Sequence, residues 1–541
     1  MTMKYLKQLL VSSVAAATMI GGTSVWADGL SADALQTSTG QIMADVTTLA
    51  GIGDFQNVNG SAQLAAFRAP GSVAQLPDGS ILVADTRNHA IRKITNGTVS
   101  TFAGPALDLV LNSQGFPVGG LVNGSAAQAF FNEPTGLAVD AKGNVFVADS
   151  GNHAIRKIDT AGNVTTFAGS GLVGSKDGKG AEASFNRPSD VAVAADGTVY
   201  VADTLNHVIR KITADGTVST IGAPSTRAIQ IRPGEAAFAG EFQDGALASA
   251  KFNEPSGLAL DSLGNLYVSD TGNQRIRYID FKAGQVKTIA GSTPTVAGSL
   301  YAKNDLYAGG DYEDGAALQA MFDFPKGLAI TSEGGLLIAD SLNHAIRYLL
   351  DGKVTTISGT LQTGEADGVE QAAQFYSPTD VLITQQGNLV VADELNNKIR
   401  KIAPYRLPEE VTADAQVKVV TGTKLLSFDA QPEIVDGRTM VPVRAISETF
   451  GYDVKYTEEA GKRLVQLSKN GVTVQLTIGE TGIVVKQEGA GDKVVATDAS
   501  PYVKQDRTFV PIRFFAEQIG LDVQWDEPHR TAILRNKSAI Q

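Results

Sequence analysis

The sequence predicts a mainly β protein in two parts: a ring of six four-stranded blades, then a small C-terminal α+β module with an internal duplication. Three observations carry that prediction. A string of the form Asp-x-x-Asn-His-x-Ile-Arg recurs along most of the chain, an orphan copy of one blade strand stands ahead of the first repeat, and a different pair of copies fills the C-terminal part.

The repeat is plainest from Phe131 to Gly169, "FNEPTGLAVDAKGNVFVADSGNHAIRKIDTAGNVTTFAG". Four short apolar alternating runs, "GLAVD", "VFVAD", "AIRKI" and "VTTFAG", are separated by the turn signals "AKGN", "SGN" and "TAGN". Four antiparallel strands per unit make one propeller blade. Units begin at Phe67, Phe131, Phe185, Phe252, Phe322 and Phe375, each after a Gly-containing, Ala-rich lead. The sixth unit stops after "KIAPY" at Tyr405 without its last strand, whereas "VTTLAG", Val46 to Gly51, precedes the first unit. The orphan strand is expected to complete blade six and remove the exposed edges of an open array.

The repeated Asp, Asn, His and Arg suit either a catalytic constellation or the brickwork of a repeat fold. Period two puts Arg156 on the strand face shared by Ala154 and Ile158, which packs against a neighbouring blade. An arginine there needs a partner, and Asp149 of the same unit type supplies the carboxylate. Asn152 is expected in an Asx-type turn or at positive φ. His89, His153, His207 and His344 lie one per blade and cannot converge on one metal. The motif therefore reads as architecture. On these residues the region from Val46 to Tyr405 resembles the NHL-repeat six-bladed propellers. That resemblance implies the fold and leaves function open, because the architecture hosts binding modules, lyases and lactonases alike.

The chain has 541 residues, no cysteine and a formal charge of -12. The acidic balance argues against a nucleic-acid surface, and thiolate chemistry and Cys-ligated metals are excluded. The opening "MTMKYLKQ", the apolar run Leu9 to Ile20 and "GGTSVWAD" read as a secretory signal, residues 1–27, cleaved after Ala27. The run is shorter than the roughly 20 residues of a bilayer span, with an uncleaved anchor as the alternative. The expected organisation continues with an N-terminal segment 28–45, the propeller 46–405, a Pro- and Glu-containing linker 406–416 and the module 417–541. The expected location is secreted or extracytoplasmic, with association to the cell wall as an option.

In the C-terminal module "DGRTMVPVRAISETFGYDVKY" from Asp436 matches "QDRTFVPIRFFAEQIGLDVQW" from Gln505. Each copy reads as a strand ending at Val-Pro, a short helix stopped by Gly451 or Gly520, and a further strand. This pattern resembles the copper amine oxidase N-terminal-like domain, or stalk domain, of exported bacterial proteins. The name implies copper, yet the module has one histidine, His529, and copper needs several His or Met ligands together. No metal and no amine oxidase activity are expected. Arg444 and Arg513 are expected to pair with Glu448 and Glu517 one helical turn on rather than to hold an anion.

Two regions are candidate sites. The loops between blades one and two, three and four, and four and five are long and carry Phe116, Phe238, Phe242, Tyr301, Tyr307 and Tyr312, and such loops are where recognition usually lies. At the channel rim, Glu133, Arg187 and Glu254 occupy one equivalent position, while Asp190 and Asp380 replace a glycine in opposite blades. These two carboxylates could hold a cation or a polar ligand. No catalytic residue and no cofactor is assigned. The expected function is that of an exported non-enzymatic binding or scaffold protein whose partner is a protein, a polysaccharide or a small molecule. The alternative is a metal-assisted lyase or lactonase acting in the channel.

Overall fold

The computed structural model describes residues 30, 34–105, 111–113, 115–294, 299–487, 491–497 and 499–538. The signal-peptide reading lies outside the described residues. Six five-stranded antiparallel sheets form the ring. In the second blade the strands run, from the rim inward, Gly124–Ser125, Asn163–Ala168, Ala154–Ile158, Val145–Asp149 and Pro134–Val139. The two-residue outermost strand, drawn from the Ala-rich lead, was not legible as a strand in the sequence. Blade six takes Ala44–Ala50 between Gly368–Val369 and Lys398–Pro404, so the orphan strand closes the ring.

Apolar side chains from the facing sheets of neighbouring blades fill the space between them. Leu82, Ala84 and Ile91 of blade one, for instance, meet Phe131, Val145 and Val147 of blade two. Within that apolar packing lies one polar network per blade. The arginines Arg92, Arg156, Arg210, Arg277, Arg347 and Arg400 are fully buried, each 2.5 to 2.9 Å from a fully buried aspartate of its own unit. Arg156 also donates to the carbonyls of Phe130 and Val122 and to Asn123 Oδ1. Its guanidinium lies 5.1 Å from the ring centroid of Phe131. Asp149 accepts from Arg156, from Asn152 Nδ2 and from the Asn132 amide. Burial still pushes its carboxyl up to about 6, so the network is the condition for keeping that charge inside.

The asparagine of the motif ties the turn to Asp149, but the left-handed backbone falls on the next residue. His153 has φ 50°, as His89, His207 and His344 do at 52°, 57° and 53°. Each of these rings accepts, at Nδ1, the backbone amide of the residue before the first proline of the next blade: His89 from Glu133, His153 from Arg187, His207 from Glu254 and His344 from Ser377. Gln274 and Asn397 accept the same amide with side-chain oxygens, from Phe324 and Ala69. All six blade junctions are thus clasped alike, including the one between blades six and one.

The C-terminal module has three sheets and two short helices, α1 (Val443–Thr449) and α2 (Ile512–Gln518). Its hairpin turns at Asn470-Gly471, both at positive φ, as a two-residue type I′ turn requires. Among the described residues no ion pair joins Arg444 to Glu448 or Arg513 to Glu517, and Arg444 lies instead 6.0 Å from the Tyr456 ring centroid. The module's last strand, Thr531–Asn536, ends against blade six. There the buried Arg535 bonds both oxygens of buried Glu370, at 2.8 and 3.1 Å, and Asp522 at 2.8 Å. Glu370 also accepts the Ala44 amide of the closing strand. No helix among the described residues is long and apolar enough to cross a membrane.

Two outcomes follow from the networks. Replacing Arg156 or Arg210 with alanine removes the partner of a buried carboxylate and is expected to destabilise by about 3 kcal/mol each, measured by chemical denaturation. A loss confined to one blade's arginine would contradict a repeated structural role. The His207 imidazole is held down to about 4, chiefly by burial and then by the Arg227 charge. As pH falls from 6.5 through 4 the unfolded chain takes up a proton that the folded ring refuses, and stability is lost by up to about 3 kcal/mol. His207→Gln, copying Gln274, should keep the clasp at pH 7 and lose less stability at pH 4.5 than the parent. Equal losses would show that the clasp does not titrate.

Candidate functional site

The site is built by the starts of the six innermost strands. Each begins with a proline preceded by a residue at positive φ: Ala69, Glu133, Arg187, Glu254, Phe324 and Ser377. Two positions after that residue the ring reads Gly71, Thr135, Ser189, Ser256, Lys326 and Thr379. One layer deeper it reads Ser72, Gly136, Asp190, Gly257, Gly327 and Asp380. The repeat thus sets every position, and what differs from blade to blade is the side chain.

These layers enclose a cup of about 370 Å³ at the axial mouth. Eight of its 17 lining residues are serine or threonine, and four of the threonines spend their hydroxyl protons on the wall itself. Thr86 donates to the Pro134 carbonyl, Thr204 to Pro255, Thr271 to Pro325 and Thr379 to Pro70. The remaining lone pairs make the cup rich in acceptors. Lys326 lines the wall and lies 3.8 Å from Glu394, which also faces the cup.

Asp190 and Asp380 form the floor, between this cup and a second cavity of about 350 Å³ deeper along the axis. Asp190 accepts the Leu258 amide at 2.8 Å. Asp380 accepts the Ser72 hydroxyl at 2.7 Å and the Val73 amide at 3.0 Å. The glycines beside them make room. A Cβ at Gly136 would stand 2.5 Å from Asp190 Oδ1, and one at Gly327 only 2.2 Å from Asp380 Oδ1. Burial raises Asp380 to about 6. Asp190 is pushed well above the usual carboxylate range, first by burial and then by the charge of Asp380.

Glu133, Arg187 and Glu254 sit at equivalent positions but behave differently. Glu133 is braced by Arg87 and Arg187 from the blades on either side. Burial pulls its carboxyl upward, but the Arg187 bond and the two charges outweigh this and hold it below the usual range. Glu254 has no such brace. Burial raises it, against the hydrogen bond from Tyr307, whose hydroxyl reaches both carboxylate oxygens at 3.1 and 3.2 Å. The Tyr307 ring packs edge-on against Phe324, 4.9 Å between centroids.

Of the sequence candidates the cup gathers Asp190, Glu254 and Asp380 in its wall, with Tyr307 behind Glu254. The other aromatics do not converge there. Phe242 lies under Arg275 and Arg277, each 4.7 Å from its centroid, Tyr301 under Arg227 at 3.7 Å and Tyr312 under Arg347 at 4.5 Å. These three rings are half-buried covers for arginines rather than open recognition surfaces. Phe116 is 43% exposed beside Arg68, and Phe238 is 73% exposed at the end of the hairpin Ala228–Arg232/Glu235–Phe238. Lys326, Phe324 and Glu394 were missed, although each breaks its repeat: lysine stands where the other units have Gly, Thr or Ser, and Glu394 where they have Thr or Ser.

No group of three or more His, Cys, Asp or Glu is placed to hold a metal among the described residues. In the C-terminal module His529 is engaged by Asp526 at 2.7 Å, so the donor set does not suit the copper that its resemblance suggests.

Residues 67–94, 131–158, 185–212 and 252–277 match the NHL repeat, and residues 419–534 match the copper amine oxidase N-terminal domain. The chain is 33% identical over 52% of its length to SUPPRESSOR OF QUENCHING 1, chloroplastic, of Arabidopsis thaliana, and spans 26% of that protein. It is 32% identical over 61% of its length to NHL repeat-containing protein 2 of Gallus gallus, and spans 46% of it. A solved auxiliary nutrient binding protein from Bacteroides ovatus shares 16% identity at a TM-score of 0.47, over 68% of this chain and 78% of that one. The chain spans less than half the length of these two curated relatives. It carries NHL repeats in a six-bladed propeller, and its C-terminal module matches the copper amine oxidase N-terminal domain.

Proposed function

We propose that this is an exported, non-enzymatic binding protein that takes a small ligand rich in hydrogen-bond donors, of the polyhydroxylated kind, in the cup at the propeller mouth. One observation carries the reading: four wall threonines give their protons to main-chain carbonyls, so at those positions the cup presents lone pairs to whatever enters. A ligand with several O–H groups satisfies such a surface, and Phe324 and Tyr307 supply apolar area beside it. Export rests on the signal-like N-terminus, and the location proposed is extracytoplasmic. The lyase or lactonase reading draws on Asp190 and Asp380. Against it, both carboxylates are already engaged by amides of neighbouring blades, and no third ligand among the described residues joins them.

Native mass spectrometry with elemental analysis of the isolated protein is expected to find a retained small molecule. A stoichiometric metal accompanied by lactone turnover would overturn the reading. Lys326→Ala and Glu254→Gln should each weaken retention by about tenfold, equivalent to the loss of one buried hydrogen-bonding or charged contact, with melting nearly unchanged. Phe238→Ala should leave retention intact.

The floor supplies a pH test. Asp380 has a folded value above its unfolded one, so its stabilising contribution is complete below about pH 3.8 and is lost as pH rises through about 6. Asp380→Asn should therefore raise the melting temperature relative to the parent at pH 8 and not at pH 4. A variant less stable than the parent at pH 8 would show that the charge, not the proton, is what the floor needs.

A further inference from the structure

The C-terminal module contains two cavities that the propeller does not use. Its two copies meet where Arg438–Pro442 pairs antiparallel with Arg507–Pro511. Val441 faces Val510, and these two valines are equivalent in the duplicated strings, so the module has a local twofold axis through that pair. From each strand the chain enters its helix and then a strand carrying an aromatic residue, Tyr456 in Asp453–Glu459 and Trp525 in Leu521–Asp526.

The cavities obey the same symmetry, and each is built across it. One, of about 890 Å³, takes Arg438 from the first copy and Arg513 and Trp525 from the second. The other, of about 330 Å³, takes Arg507 from the second copy and Arg444 and Tyr456 from the first. Two separate cavities thus repeat one set, a guanidinium from a hairpin, a guanidinium from a helix and an aromatic ring, with carboxylates beside them: Glu517 and Glu527 in the larger, Asp506 in the smaller. They differ in volume. Arg507 is held by Asp429, and Arg444 lies over Tyr456. In the larger cavity Trp525 directs its indole N–H to Glu527, and Arg513 is exposed.

We propose that the two cavities are paired subsites for an acidic polysaccharide bearing carboxylates. A planar guanidinium matches a carboxylate in two-point geometry, and a pair of them selects against neutral chains. A flat indole or phenol ring beside them covers the apolar C–H face of a sugar ring. A site duplicated by symmetry suits a ligand that is itself repetitive, because binding at one subsite raises the effective concentration at the other. The proposal is independent of what the propeller cup binds.

The test uses the full chain and four probes: polygalacturonate, hyaluronate, neutral dextran and poly-L-glutamate, followed by affinity electrophoresis and calorimetry. The parent is expected to bind at least one of the two uronate polymers, to ignore dextran, and to bind polyglutamate at least about tenfold more weakly. Arg513→Gln and Trp525→Ala should each weaken uronate binding by about tenfold. Arg444→Gln combined with Arg513→Gln should weaken it by about a hundredfold or more, as both subsites are lost. Melting temperatures of the arginine variants should be unchanged, since both arginines are exposed, whereas Trp525→Ala should lower melting because the indole packs against the module's core. Lys326→Ala in the propeller should leave uronate binding intact. Failure to bind either uronate polymer, or equal binding of polyglutamate that is indifferent to Trp525→Ala, would overturn the proposal.

Discussion

Every blade depends on placing one arginine and one aspartate where water does not reach. Six such pairs are buried completely, each with its guanidinium 4.9 to 5.3 Å from the centroid of the phenylalanine that opens its unit. A charge taken out of water is tolerated only when its hydrogen-bonding capacity is met. That requirement recruits the rest of the unit. The aspartate needs the turn asparagine and a backbone amide, and the arginine needs the carbonyls of the lead, which is thereby pinned along the blade's outer edge. The hydrophobic faces provide the stabilisation, while the polar network selects the register in which those faces meet.

Architecture uses the residues that repeat, so what differs between blades is free for other work. Serine or threonine suffices at most positions around the mouth, and lysine or glutamate at one of them alters the character of the cup. Asp190 and Asp380 are tolerated only because Gly136 and Gly327 leave space beside them. The arrangement concentrates acceptors on the axis without disturbing the clasps just outside it, since those run through backbone amides and the imidazole, amide or carboxamide atoms of the motif.

The fold was legible because repetition amplifies a weak signal: six copies of a strand pattern, one missing strand and one surplus strand define a closed ring. The burial of Arg156 and its pairing with Asp149 also followed from strand period and charge. What the histidines do was not legible, because their partner lies in the next unit, 33 to 47 residues away. The asparagine carried the expectation of an Asx-type turn or positive φ, and the positive φ fell on the residue after it. The site was half legible. Asp190, Asp380 and Glu254 stood out as departures from glycine or as rim charges, whereas Phe242, Tyr301 and Tyr312 looked exposed only because a sequence does not reveal which arginine lies under a ring.

Closure by the Ala44–Ala50 strand also governs the order of assembly. Its partners are distant in the chain, the Ala44 amide meeting a carboxylate 326 residues further on. Contacts of such separation form late, because the loop entropy must be met before the contacts reward it. A folding chain therefore carries this strand unpaired while the first five blades stack behind it. Arg535 then fastens to the same spot from the far end of the molecule. Blade six is a keystone: the last stone set, gripped by two segments that lie 491 residues apart in the chain.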